Sequence, residues 1–313
     1  MHWIYLFLGL GGMLIGANWL VRGCVNIARR FGISEFVVSV IVIGIGTSMP
    51  ELLVSLICGA RDLGTLVVSN NVASSVINIW GVIGLGAVIA PIALDSARRH
   101  LADLIFMCVA TIAAAIMIWT GSLNFLDGLI LFGIFGGYLF YAYYRKMNSA
   151  HKVAAVRHAG AGQAAWHSVV LIFAGIFALY AGSEIFMDML QIVSNANNLN
   201  QTIAGILIVA PGTAVPELLV TIIAALRRQP QVAIGNIIGS NFMNMTLVLA
   251  TGAVLTTLPV SRHIAMFDIF VLLFATGLLC FDLLKRRELT RGRGALYLLL
   301  LAVYLISAVM IHL

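Results

Sequence analysis

This sequence is poor in charge. Of its 313 residues only 10% are Asp, Glu, Lys or Arg, against about 25% in a soluble domain. Too few charges exist to cover a water-soluble globule. With 61% hydrophobic residues and a mean hydropathy of +1.05, disordered and fibrous chains are excluded as well. Cysteine is scarce too: Cys24, Cys58, Cys108 and Cys280 lie in or beside apolar segments, far apart in sequence. That excludes a disulfide framework or a thiolate metal motif, and the four read as reduced packing residues. The seven histidines fall at termini, loops and helix ends, so no histidine proton relay crosses the chain. The net charge of +6 is spread over loops, which argues against a nucleic-acid partner. What remains is an all-α polytopic membrane protein whose surroundings are the lipid bilayer. About 20 apolar residues cross the hydrocarbon core, so about ten spans fit.

Hydropathy and charge breaks predict helices over 3–27, 35–60, 65–91, 101–119, 124–144, 166–191, 201–226, 231–258, 264–284 and 294–312. The first segment has no Lys or Arg ahead of it and runs on to about Val21, so it reads as a span rather than a signal peptide. The one long connection, 145–165, is polar and carries Arg145, Lys146, His151, Lys152, Arg157 and His158. It divides the chain into two five-helix halves, 1–144 and 166–313. Loops after odd-numbered helices hold 16 of the 18 Lys and Arg; only Arg61 and Arg262 fall on the other side. The positive-inside rule then puts the odd loops in the cytoplasm and both termini outside.

The two halves repeat at an offset of 166 residues. GIGTSMPELLVSLICGA (44–60) pairs with APGTAVPELLVTIIAAL (210–226), and SNNVASSVIN (69–78) with GNIIGSNFMN (235–244). Gly46, Thr47, Pro50 and Glu51 thus recur as Gly212, Thr213, Pro216 and Glu217, and Asn70, Ser74 and Asn78 as Asn236, Ser240 and Asn244. Five helices per half make the second copy enter from the opposite side, the inverted repeat of secondary transporters. Glu51 and Glu217 fall near the bilayer centre, where insertion of a carboxylate costs at least about 2.5 kcal/mol. Such a group persists where it faces a cavity or an ion. Three of the six prolines, Pro50, Pro211 and Pro216, sit in these segments, where each removes a backbone donor and frees a carbonyl one turn earlier. Carboxylate, carbonyl, hydroxyl and amide oxygens are hard ligands that suit Ca²⁺ and Na⁺ rather than zinc or copper.

Other landmarks carry less. Glu184 and Asp188 form an i, i+4 pair at the outer end of helix 6, read as a solvated helix end in preference to a cation vestibule; their counterparts are Asn18 and Arg22. Asp103, Asp127, Asp268 and Asp282 lie near helix ends and read as interfacial. Gly81, Gly84 and Gly86 read as close helix packing.

GTSMPE (46–51), GTAVPE (212–217) and GNIIGSN (235–241) resemble the two alpha-repeats of the calcium/cation antiporter superfamily, and the compact prokaryotic sodium/calcium exchangers within it. The resemblance implies ten helices, outside termini and the inner (plasma) membrane of a prokaryote. It implies that Glu51 and Glu217 bind Ca²⁺ with the backbone carbonyls of Thr47 and Thr213. Ser74 and Ser240, with the carbonyls of Gly44 and Ala210, would help bind Na⁺, and Asn78 and Asn244 would close the centre. Helices 1 and 6 would slide over the other eight to expose the site alternately. The sequence departs from the family pattern at Ser69 and Ala73, where glycine is usual, at Ser75, where Asn is common, at Ala214, which replaces a hydroxyl that Ser48 keeps, and at Asn244, where some relatives carry Asp.

The expected activity is secondary antiport, Ca²⁺ out against Na⁺ in, by a monomer without a cofactor. Proton-coupled exchange of Ca²⁺ or another cation is the alternative within the class, and a cation channel the alternative outside it. An intramembrane enzyme lacks a nucleophile–base pair or metal cluster at depth.

Overall fold

The computed structural model describes residues 2–31, 38–93, 97–150, 165–195, 201–286 and 288–312. They are mostly helical. In chain order come α1 (His2–Phe31), α2 (Ser39–Thr47, then Met49–Ala60), α3 (Gly64–Ile89), α4 (Ala97–Trp119), α5 (Phe125–Ala150), α6 (Ala165–Asn195), α7 (Gly205–Thr213, then Val215–Leu226), α8 (Pro230–Leu255), α9 (Ile264–Arg286) and α10 (Arg291–His312). Among the described residues, six helices are long and apolar enough to cross a membrane, or up to eight if each bent helix is one span. The hydropathy boundaries fall within four residues of these except at the end of α5, which runs six residues past 144. The connection expected at 145–165 is partly helical: α5 runs on through Arg145 and Lys146 to Ala150. His151, Lys152, Arg157 and His158 lie outside the described residues, as do 32–37.

α3 and α8 form the centre. Every residue from Val67 to Gly84 and from Val232 to Thr246 is buried, although both stretches contain Asn and Ser. A helix enclosed on all sides is a core helix. Its polar atoms need partners or a ligand. Large apolar side chains such as Ile116, Phe140, Phe173 and Met310 point outward from α4, α5, α6 and α10, the surface a bilayer would cover. α1 and α6 pack along each other. A Cβ on Gly16 would meet the Gly175 carbonyl at 2.8 Å, so the two backbones nearly touch.

The repeat is visible in details that hydropathy does not report. α2 and α7 end alike: Asp62 and Arg228, 166 residues apart, take left-handed φ values of 57° and 55°. The next N–H returns to the carbonyl five residues back, Leu63 to Cys58 at 2.8 Å and Gln229 to Ala224 at 2.9 Å, which closes the helix end. Four two-residue strands, β1 (Ile92–Ala93), β2 (Ser122–Leu123), β3 (Leu258–Pro259) and β4 (Glu288–Leu289), pair antiparallel as β1–β4 and β2–β3. Ile92 opposes Leu289 in one ribbon, and Leu258 opposes Leu123 in the other. These are the same pair with the halves exchanged.

Two expectations change. Asp103, Asp268 and Asp282 lie near helix ends as read, but protein encloses them rather than an interface. Asp103 accepts from the Tyr138 hydroxyl at 3.0 Å, and Asp268 from Tyr304 at 3.0 Å. Asp282 accepts from Arg293 Nη2 at 2.7 Å and Arg293 Nε at 3.0 Å, and from Tyr297 at 2.9 Å. These bonds offset the desolvation of the carboxyls. Asp127 does sit at the surface, in the first turn of α5, accepting from the Asn124 N–H at 2.8 Å. Asn124 in turn accepts from the Leu126 N–H at 2.8 Å, in the manner of a capping box. Second, Cys108 and Cys280 are not separate packing residues: their sulfurs lie 3.3 Å apart between α4 and α9. Cys24 is buried and Cys58 partly so.

Candidate functional site

The site is built where two helices break against two that do not. α2 bends by 52° between Thr47 and Met49, and α7 by 45° between Thr213 and Val215. Pro50 and Pro216 open the second segment of each. Proline at that position lacks the N–H that would continue the ladder, and glycine at 46 and 212 relieves crowding before the turn. Each bend is preceded by a π-helical stretch, Ser39–Ile43 and Gly205–Val209, again 166 residues apart. α3 and α8 carry their own π-helical stretches, Ile77–Val82 and Asn244–Val248, which include Asn78 and Asn244. Wide turns of this kind gather at functional sites.

Glu51, Thr47, Ser74, Asn78, Glu217, Thr213, Ser240, Asn244 and Ala210 are all fully buried, and Gly44 is buried with them. The structure brings them together across the two halves. Thr47 Oγ1 lies 3.1 Å from Ser240 Oγ, and Thr213 Oγ1 lies 3.2 Å from Ser74 Oγ. The Thr47 hydroxyl also has the Ile43 carbonyl at 3.1 Å and Asn236 Oδ1 at 3.2 Å within reach. The Ser74 hydroxyl has Asn70 Oδ1 at 3.4 Å and the Ala210 carbonyl at 3.5 Å. Gly44 approaches α8 so closely that a Cβ there would stand 3.0 Å from Gly239.

Carboxylate and amide groups alike go unmet in this constellation. Both carboxylate oxygens of Glu51, Oε2 of Glu217, and the side-chain oxygen and Nδ2 of both Asn78 and Asn244 are buried without a hydrogen-bond partner among the described residues. Oxygen lone pairs buried without partners are costly. A hard cation meets that need directly, and one divalent or two monovalent ions balance two carboxylates.

The two glutamates are not equally served. Glu217 Oε1 accepts from the Ser48 hydroxyl at 3.4 Å. The residue equivalent to Ser48 beside Glu51 is Ala214, which has no hydroxyl. The amides differ in the same sense. Asn236 donates to the Glu217 carbonyl at 3.1 Å and to Thr221 Oγ1 at 3.0 Å. The Nδ2 of its counterpart Asn70 has no partner among the described residues; Ser55, which stands where Thr221 stands in the other half, donates instead to the Val248 carbonyl at 2.7 Å.

Asn70, Asn236 and Ser48 therefore belong to the hydrogen-bonded shell of the site, although sequence reasoning left them out of the candidate ligands. Recurrence of Asn70 and Asn236 at the repeat offset was the available signal. Two departures from the family pattern also find a place. Ser69 lies against Gly205, where any Cβ would collide with the Ser69 hydroxyl, so the bulk missing from one helix is taken up on the other. Ser75 is buried, and its hydroxyl has no partner among the described residues. Of the weaker landmarks, Glu184 is exposed on α6, the Asp188 side chain lies outside the described residues, and Asn18 accepts from Arg227 at 2.6 Å.

Known proteins resemble this chain in sequence and fold. Residues 1–144 and 167–310 match the family described as sodium/calcium exchanger protein. An uncharacterised membrane protein of Methanocaldococcus jannaschii is 30% identical over 303 residues, 97% of this chain and 95% of that one. The sodium/calcium exchanger MaX1 of Methanosarcina acetivorans is 24% identical, covering 97% of each chain. A solved structure of the sodium-calcium exchanger NCX_Mj, soaked with Na⁺ and Sr²⁺, superposes with a TM-score of 0.81 at 30% identity, covering 96% of each chain. With the family matched along nearly its whole length and a relative of this likeness, the chain belongs to the sodium/calcium exchanger family of membrane cation antiporters.

Proposed function

We propose that the protein exchanges Ca²⁺ for Na⁺ by alternating access, with Glu51 and Glu217 as the shared carboxylate pair. The observation that carries this reading is the set of buried, unpartnered carboxylate oxygens on Glu51 and Glu217, with two reciprocal hydroxyl pairs between the halves. Ca²⁺ takes six to eight oxygens at about 2.3–2.6 Å. The two carboxylates, with the backbone carbonyls of Thr47 and Thr213, supply charge and ligands for it. Na⁺ ions occupy the flanking positions, one at Ser240 with the Gly44 carbonyl, the other at Ser74 with the Ala210 carbonyl. Because the same carboxylates serve both ions, Ca²⁺ and Na⁺ compete, and competition for one site is what couples their movements.

Access alternates through α1 and α6. Their close glycine contact lets them move as a pair against the remaining helices. The ten helices form inverted halves, 1–144 and 166–313, joined by the cytoplasmic link 145–165, with both termini outside. The ribbons support this: α4, at 23 residues, is about 34 Å long at 1.5 Å per residue and separates β1 from β2. Exchanging the halves exchanges the ribbons, and so the membrane faces. The protein works as a monomer in the inner membrane of a prokaryote.

The test is Ca²⁺ uptake into proteoliposomes under an imposed outward Na⁺ gradient or an imposed pH gradient. Uptake driven by Na⁺ and not by pH supports the reading; the converse would assign the coupling to protons. Ca²⁺ flux that needs no counter-ion would identify a channel. Topology is checked by single cysteines at Ser149 and Ser261 in a cysteine-free background. An impermeant thiol reagent on intact cells should label position 261 and spare 149.

A further inference from the structure

Cys108 and Cys280 meet at a place the ion site does not use. The first lies on α4, in the first half, and the second on α9, in the other half, 172 residues away; their sulfurs are 3.3 Å apart. A disulfide needs about 2.05 Å, so closing the gap takes a small rotation of two side chains. Neither cysteine is fully buried. The neighbouring residues Ile105, Val109, Ile112 and Phe281 are exposed apolar side chains, so the pair opens toward the lipid-facing surface. The repeat does not dictate this contact: the equivalent residues at the 166 offset are Phe274 and Ala114. Cys24 and Cys58 belong to the first half alone, and no bond between them could tie the halves.

We propose that Cys108 and Cys280 form an oxidation-closable bridge that joins the two halves covalently from within the membrane. The oxidant is a lipid-permeant two-electron acceptor, of which molecular iodine is the simplest. One thiol loses its proton and gains an S–I bond while one iodide leaves. The second sulfur attacks the first, loses its proton and displaces the second iodide. Two thiols and I₂ thus give one disulfide, two protons and two iodides. A thiol reductant reverses the step by exchange through a mixed disulfide.

The test treats the full-length protein in proteoliposomes with one equivalent of iodine, quenches, alkylates under denaturing conditions and digests with trypsin without reductant. The alkylatable thiols should fall from four to two, and the peptides 100–145 and 263–285 should be recovered joined, two hydrogens lighter than their sum. Reductant should separate them. Cys108→Ser or Cys280→Ser should abolish the joined species, and the double variant Cys24→Ser, Cys58→Ser should keep it. Four thiols surviving iodine that oxidises the unfolded chain would overturn the proposal, and so would a bridge that runs to Cys24 or Cys58.

Discussion

The hydroxyl of Thr47 lies 3.1 Å from that of Ser240, and 166 residues on the relation is returned, Thr213 meeting Ser74 at 3.2 Å. Each pair joins a broken helix of one half to an unbroken helix of the other. A substitution in one half is therefore felt at a site that both halves complete.

Removing either carboxylate charge should abolish exchange. Glu51→Gln and Glu217→Gln keep the shape but leave one negative charge for a divalent ion. In proteoliposomes carrying equal amounts of protein, Na⁺-driven Ca²⁺ uptake should fall at least about 100-fold, the equivalent of about 2.7 kcal/mol. Uptake near the wild-type rate in either variant would remove that residue from the site.

Ser74→Ala and Ser240→Ala remove one neutral ligand each. Neutral hydroxyls matter most to a monovalent ion, whereas two carboxylates dominate Ca²⁺ binding. The half-saturating Na⁺ concentration should rise several-fold, as expected for loss of about 1 kcal/mol, with a smaller change for Ca²⁺. Parallel losses for both ions would show that the two sites are not separable.

Ala214→Ser should give Glu51 the hydroxyl that Ser48 already gives Glu217. The added oxygen should lower the half-saturating Na⁺ concentration, and Ser48→Ala should raise it. Na⁺ titrations of Ca²⁺ uptake that move neither way would mean that the difference between the glutamates has no bearing on Na⁺.

Asn244→Asp adds a third acid beside two. With Asn78 and Asn244 neutral, the centre carries at most two negative charges, matched by one Ca²⁺ or two Na⁺; a third Na⁺ would leave an excess positive charge in a low-dielectric site. The variant should therefore change its Ca²⁺ flux with pH between 6 and 8 more than the wild type does. Identical profiles would place residue 244 away from the ions. Flux measured against membrane potential in the wild type checks the two-for-one count, since strong potential dependence argues against it.

Gly205→Ala should lower the thermal midpoint in detergent, because its methyl would collide with Ser69; overpacking of this kind costs about 1–3 kcal/mol. Adding Ser69→Gly should restore most of the loss. A single variant as stable as the wild type would show that the contact yields.

The repeat and its two glutamates stand out in the sequence, because a carboxylate that recurs at one offset inside apolar segments has little use there except to hold a cation or a proton. Partners across the halves were not legible. Ser48 is three residues from Glu51 in sequence, yet its hydroxyl serves Glu217, and only the fold decides that. The same holds for Asp103 and Tyr138, 35 residues apart, and for Cys108 and Cys280. Strands of two residues are too short for an alternating pattern to register. The serine at 69 reads as a departure until Gly205 is seen opposite it.

Each ribbon takes one strand from either half, so neither half finishes its own edges. A half made alone would expose two unpaired strands, half of every hydroxyl pair and one carboxylate with nothing facing it. On the inverted arrangement proposed above, the chain is in effect an antiparallel dimer within one polypeptide, whose subunits cannot be paired with the wrong copy. Cutting the connection between them should leave an exchanger that still assembles, whereas deleting either half should leave nothing that folds.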